Sequence, residues 1–212
     1  TIHIAFWNIR SIFNLIEFSH GKTSMTQLTP LFPRQQVPAL SVDTVGGGSW
    51  SLADAKPENF TLIVVYRGLH CPICGMYLKD LDRKLADFKE RGVEVIALSS
   101  DDADRARQSR EDWKLENLTL GYGLTLDKAR EWGLYISSGR GKTSVGIEEP
   151  KLFVEPGLFL VRPNGELYFA SIQTMPFARP DFAAILKALD FVLANNYPGR
   201  GEIVDHLAQA AE

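Results

Sequence analysis

The chain is poor in cysteine and histidine, has no excess of charge of either sign, and has no unbroken apolar run long enough to cross a bilayer. Of its 212 residues only two are cysteine and four are histidine. So few cysteines exclude a disulfide-stapled secreted scaffold. Zinc would need about four ligands, of which the two cysteines supply two, and His3, His20, His70 and His206 share no ligand spacing. The 23 basic and 26 acidic residues leave a net charge of −3, which gives no electrostatic reason to expect nucleic acid or an anionic membrane as partner. The Ile- and Phe-rich opening is interrupted by Asn8, Arg10, Asn14 and Glu17, so it falls short of the roughly 20 apolar residues a span requires. Nor does it follow the basic, apolar, small-residue order of a secretory leader. What is present is a hydrophobic share of 45%, enough for one sizeable core.

Residues 1–24 differ in composition from the rest and read either as an extension outside the domain or as a short amphipathic helix docked on it. The domain itself is expected over residues 25–212. PALSV, ending near Asp43, is a strand, glycines 46, 47 and 48 make a turn, and Trp50 to Leu52 resumes an extended stretch. FTLIVVY (60–66) and VEVIALSS (93–100) are continuous apolar, β-branched runs, the pattern of buried strands. Between them a long helix carries Leu78, Leu81, Leu85 and Phe88 on one face and stops at Gly92. Residues 101–115 are expected to be helical, with Asp101, Asp102 and Asp104 capping and charging the helix start. A short helix follows over 127–132, then a mobile loop over 135–150. GLFLV and ELYFASI form a hairpin around Asn164-Gly165, and residues 181–194 make the last helix. The order β-β-α-β-α-α-β-β-α, with one parallel crossover, describes a single α/β domain.

The cysteines are spaced Cys71-Pro72-Ile73-Cys74, directly after a buried strand and at the start of the long helix. Pro72 suits the first helical position, where a missing N–H costs nothing. Cys71 then becomes the N-cap, and the unpaired N–H groups and positive end of the helix dipole stabilise a thiolate there. Two thiols at this spacing can close a small disulfide, one attacking and the other resolving. A purely structural disulfide, or two inert buried cysteines, is the bland alternative. His70 would either support the thiolate and shuttle protons or stand by as an exposed neighbour. Gly21-Lys22-Thr23 and Gly141-Lys142-Thr143 mimic the tail of a phosphate loop, but Ile16 and Ile136 occupy the positions of the required glycine. No cofactor or metal is expected.

YRGLHCPIC, with the opening PALSVDTVGGGSWSLAD and the closing PGLFLVRPNGELYFASIQTMPFARPDFAAILKAL, resembles the peroxiredoxin (AhpC/TSA) branch of the thioredoxin superfamily, in a subgroup that carries CxxC. The resemblance runs from about Pro38 to Leu193. It implies a thioredoxin-like fold, a central mixed β-sheet flanked by helices with a peroxiredoxin-type N-terminal hairpin. The family's P-x-x-x-T-x-x-C motif puts Cys74 at the peroxidatic position, Cys71 at the threonine and Arg67 at the proline. Of the family's two active-site arginines, one falls on Pro156 and the other on Arg179. Pro156 also matches the cis-proline that faces the CxxC of thioredoxins; an ordinary trans loop proline is the alternative.

Two mechanisms follow from the resemblance. In a peroxidase, the Cys74 thiolate attacks a hydroperoxide, Cys71 condenses with the sulfenic acid, and a thioredoxin- or glutathione-type reductant reopens the disulfide. Arg179 and Arg67 would then supply the positive charge. In a disulfide reductase, Cys71, as the more exposed cap thiol, attacks a substrate disulfide and Cys74 resolves. A non-catalytic redox sensor or binding module is a third reading. A cytoplasmic protein, with a homodimer as one possible assembly, completes the expectation.

Overall fold

The computed structural model describes residues 30–204, so the 1–24 extension lies outside the described residues. Strands β1 (Ser41–Thr44) and β2 (Ser49–Ser51) pair antiparallel across the three consecutive glycines, all of which have positive φ. β3 (Phe60–Val65) is buried along its whole length. Helices α1 (Pro72–Arg83) and α2 (Leu85–Glu90) follow, then β4 (Val93–Leu98), α3 (Ala103–Asp112), β5 (Leu120–Tyr122) and α4 (Leu126–Glu131). The chain continues with β6 (Ile136–Ser138), β7 (Leu152–Val154), β8 (Gly157–Val161), β9 (Leu167–Ile172) and α5 (Phe182–Asn195).

Seven strands form one mixed sheet in the order β2-β1-β5-β4-β3-β8-β9. β3, β4 and β5 run parallel, while β8 joins β3 and β9 joins β8 antiparallel. Burial on both sides explains why the central strands are mainly apolar rather than alternating, with Thr61 in β3 and the exposed Glu94 near the start of β4 as the polar members. Leu62, Val64 and Tyr66 face a layer made by α1, α2 and α5, with Leu78, Leu81, Phe88, Phe182 and Leu189. Ile63 and Val65 point to the opposite face, where Leu124, Trp132 and Phe159 complete a second core.

Three expectations are corrected. The long helix is two helices broken at Lys84, whose N–H bonds the Leu81 carbonyl three residues back in a tightened turn. β5 was not anticipated: it is three residues long, and Gly121 admits the Val42 side chain, which a Cβ there would meet at 2.7 Å. The 135–150 segment is not loop throughout. It begins as β6, pairs with β7, and is tied to the domain through Glu148 and Glu149. Short strands bounded by glycine carry too little period-two pattern to stand out in a sequence.

Candidate active site

The cysteine pair sits where β3 ends and α1 begins. Cys71 is the N-cap of α1, in extended conformation, with its sulfur accepting from the Cys74 N–H at 3.3 Å, and Pro72 occupies the first helical turn. The two sulfurs are joined as a disulfide, with the Cα atoms 5.2 Å apart. Cys71 is 3% exposed and Cys74 0%, so neither is an open surface thiol, and the advantage of Cys71 in exposure is small. Gly75, next in the helix, has no room for a side chain, because a Cβ would lie 2.8 Å from the Trp113 indole nitrogen.

Arg179, from the turn before α5, reaches both sulfurs. Its Nη2 lies 3.2 Å from Cys74 Sγ and 3.7 Å from Cys71 Sγ. Its Nε donates to the Pro176 carbonyl at 2.8 Å, and its guanidinium stacks over the Tyr77 ring at 5.1 Å. Nη1 is buried without a partner among the described residues. Burial pulls the Arg179 pKa below its ordinary value, yet an arginine stays charged at any physiological pH.

The other sequence-derived site residues take different places. Arg67 does not present a free charge to the sulfurs. It pairs with Glu149 and Glu155, each at 3.4 Å, and lies over the Phe153 ring at 4.7 Å. His70 is not an exposed bystander: it is 0% exposed, packs edge-on against Phe153 at 4.6 Å, and lies 3.4 Å from Arg105 Nη2 through Nδ1. Burial above all, then the Arg67 charge, pushes its pKa down to about 4. It is therefore neutral at pH 7 and cannot support a thiolate as an imidazolium. The Glu155–Pro156 bond is trans, as is every peptide bond among the described residues. The Pro156 carbonyl extends the β8–β9 ladder by accepting from the Gln173 N–H at 2.9 Å, so the thioredoxin-like cis-proline is absent.

Asp101 has a role that the sequence did not disclose. Asp102, not Asp101, caps α3. The Asp101 carboxylate is buried and accepts the Leu69 N–H at 2.7 Å and Arg105 Nε at 3.0 Å. It braces the turn just before Cys71, where Gly68 has φ +131° and a Cβ would come within 2.6 Å of that carboxylate. Burial raises the Asp101 pKa against the pull of Leu69 and Arg105. One signal was available: β3 and β4 are parallel neighbours, so the segments leaving their C-terminal ends meet at one edge, where α/β sheets place their sites. A separate cavity of about 650 Å3, lined in part by Leu40, Leu52, Lys128 and Arg162, contains none of these residues.

The sequence pattern of the AhpC/TSA family matches residues 33–170, more than half of the chain. The chain belongs to the AhpC/TSA family. A Mycobacterium tuberculosis protein that carries a peroxiredoxin name is 29% identical over 128 residues, covering 58% of this chain and 78% of that protein. Among solved structures, a cysteine-to-serine mutant of peroxiredoxin 6 from Arenicola marina superposes with a TM-score of 0.63 at 20% identity, covering 78% of this chain and 76% of that one. AhpC of Mycobacterium tuberculosis gives 0.63 at 15% identity, covering 79% and 96%. These likenesses establish the peroxiredoxin-type thioredoxin-like fold. Family membership together with the joined CxxC pair makes the chain a thiol oxidoreductase. No described helix is long and apolar enough to cross a membrane.

Proposed function

We propose that this AhpC/TSA-family chain reduces hydroperoxides, with Cys74 as the attacking thiolate and Cys71 as the resolving thiol. The observation that carries the reading is the Arg179 guanidinium, nearer to Cys74 Sγ than to Cys71 Sγ and with a second N–H-bearing nitrogen lacking a partner among the described residues. A cation at that distance stabilises the Cys74 thiolate. When the disulfide is open, the spare donor can hold a peroxide oxygen.

The thiolate attacks the distal oxygen, the O–O bond breaks, and the leaving alkoxide or hydroxide takes a proton, leaving Cys74 as a sulfenic acid. The Cys71 thiol then displaces water to form the disulfide. A thioredoxin- or glutathione-type thiol reductant supplies the two electrons that reopen it. Such a cycle suits a reducing compartment such as the cytoplasm.

A second reading is favoured by Cys71 alone. It sits at the helix cap and is the less completely buried of the two sulfurs, the position of the nucleophile in a disulfide reductase. Stopped-flow oxidation of the reduced protein by hydrogen peroxide and by a small organic hydroperoxide separates the two. Fast loss of two thiols, with the first step abolished only by Cys74→Ser, supports the peroxidase. Rates no faster than a free thiol, with rapid disulfide exchange that requires Cys71, overturn it in favour of the reductase.

A further inference from the structure

The arginine that touches the sulfurs is held from two sides. It belongs to a turn before α5 whose neighbours Met175 and Phe177 are 57% and 75% exposed, so the apolar contacts that fix a buried side chain are sparse here. One anchor is internal, from Arg179 Nε to the Pro176 carbonyl. The other comes from α1. The Tyr77 hydroxyl donates to the Pro180 carbonyl at 2.7 Å, one residue beyond the arginine. The face of the same ring lies 5.1 Å beneath the guanidinium carbon. Phe182 stacks on Tyr77 with centroids 4.2 Å apart and planes inclined by 27°, so the tyrosine ring is itself held from the first turn of α5. Tyr77 is three residues after Cys74, the spacing that puts two side chains on one helix face.

We propose that Tyr77 is a positioning residue that acts on the redox cysteines through Arg179. Its hydroxyl fixes the backbone beside the arginine and its π-face receives the guanidinium, so that Nη2 stays directed at Cys74 Sγ. This rests on the proposed role of Arg179 as the cation that stabilises the Cys74 thiolate. Burial raises the Tyr77 pKa, so the hydroxyl keeps its proton and remains a donor over the working pH range. A guanidinium over an aromatic face gains attraction without losing its N–H donors, which stay free in the plane for sulfur and carbonyl.

The test is a double-mutant cycle read on the thiol pKa. With only two cysteines in the chain, Cys71→Ser leaves Cys74 as the one thiol, and its thiolate absorbance can be titrated directly. Tyr77→Phe keeps the stack on Phe182 and removes only the hydroxyl. It is expected to raise the Cys74 pKa by about half a unit or more, and to slow alkylation at neutral pH about threefold, the scale of one hydrogen bond. In an Arg179→Gln background the same substitution is expected to change neither quantity, because the residue through which it acts is gone.

Equal shifts in both backgrounds would overturn the inference, since Tyr77 would then act on the thiol directly. If Arg179→Gln raises the Cys74 pKa and Tyr77→Phe does not, the Tyr77 inference alone is overturned. If Arg179→Gln leaves the pKa unchanged, the role given to Arg179 and the inference resting on it both fall. Tyr77→Leu, which removes the ring as well, is expected to exceed Tyr77→Phe only where Arg179 is present.

Discussion

Arg179 Nη2 lies 3.2 Å from Cys74 Sγ, closer than the 3.7 Å to Cys71 Sγ, although 105 residues separate Arg179 from Cys74 in sequence. The contact joins the start of α1 to the turn before α5, and both segments are carried by elements packed on the same face of the sheet. Arg67 is nearer in sequence but spends its charge on Glu149 and Glu155. Of the two arginines, Arg179 is therefore the one in contact with the sulfurs.

Arg179→Gln in otherwise unaltered protein is expected to lower the rate of the first oxidation step by about 10- to 100-fold, the scale of one charge-assisted hydrogen bond. Arg67→Gln is expected to cost that step much less and stability more, because it leaves the buried Glu155 and the half-buried Glu149 without their partner. Peroxide oxidation kinetics and urea denaturation of the two variants check the contrast.

Asp101→Ala removes the acceptor of the Leu69 N–H and the partner of Arg105. Leaving these groups unpaired is expected to cost about 2–4 kcal/mol. The loosened turn sits directly before Cys71, so the disulfide should also become easier to reduce. Denaturant midpoints and redox titration against glutathione measure the two effects.

His70 gives a pH signature of known sign. Its pKa is about 4 when folded and about 6.5 when unfolded, so the unfolded chain binds more protons between those values and stability rises with pH across that window. Lowering the pH from about 6.5 to 4 is expected to remove up to about 3 kcal/mol. His70→Asn should flatten this limb in denaturation curves taken at pH 7 and pH 5. An unchanged slope would show that other groups set the acid limb.

Gly75→Ala favours the helix by propensity but drives a methyl group into the Trp113 indole at under 3 Å. The steric term is expected to win, with a net loss of about 1–3 kcal/mol and a shifted Trp113 fluorescence maximum. Thermal unfolding followed by that fluorescence tests both.

The central elements were legible because each has a local cause. FTLIVVY and the IAL end of VEVIAL are buried on both faces, and such strands need no alternation. The Asn164-Gly165 pair turns the β8–β9 connection because Gly165 supplies the positive φ, here 82°. Cys71 and Pro72 capped α1 as their side chains allow. The three-residue β5 and the β6–β7 pairing were not legible, since each is decided by pairing with segments distant in sequence, and the local tightened turn at Lys84 interrupts an apolar period that continues through it.

The sequence by itself determined the sheet's central strands, the family and the CxxC at a helix N-terminus, because all three depend on contiguous residues whose backbone preferences and spacing are local. Only the tertiary structure decided which charges reach the sulfurs. It gave Arg179 to Cys74, gave Arg67 to two glutamates, buried His70 as a neutral ring, and set the Asp101 carboxylate between the turn before Cys71 and Arg105 of α3. Those outcomes depend on distance and desolvation across the fold, which order along the chain does not encode.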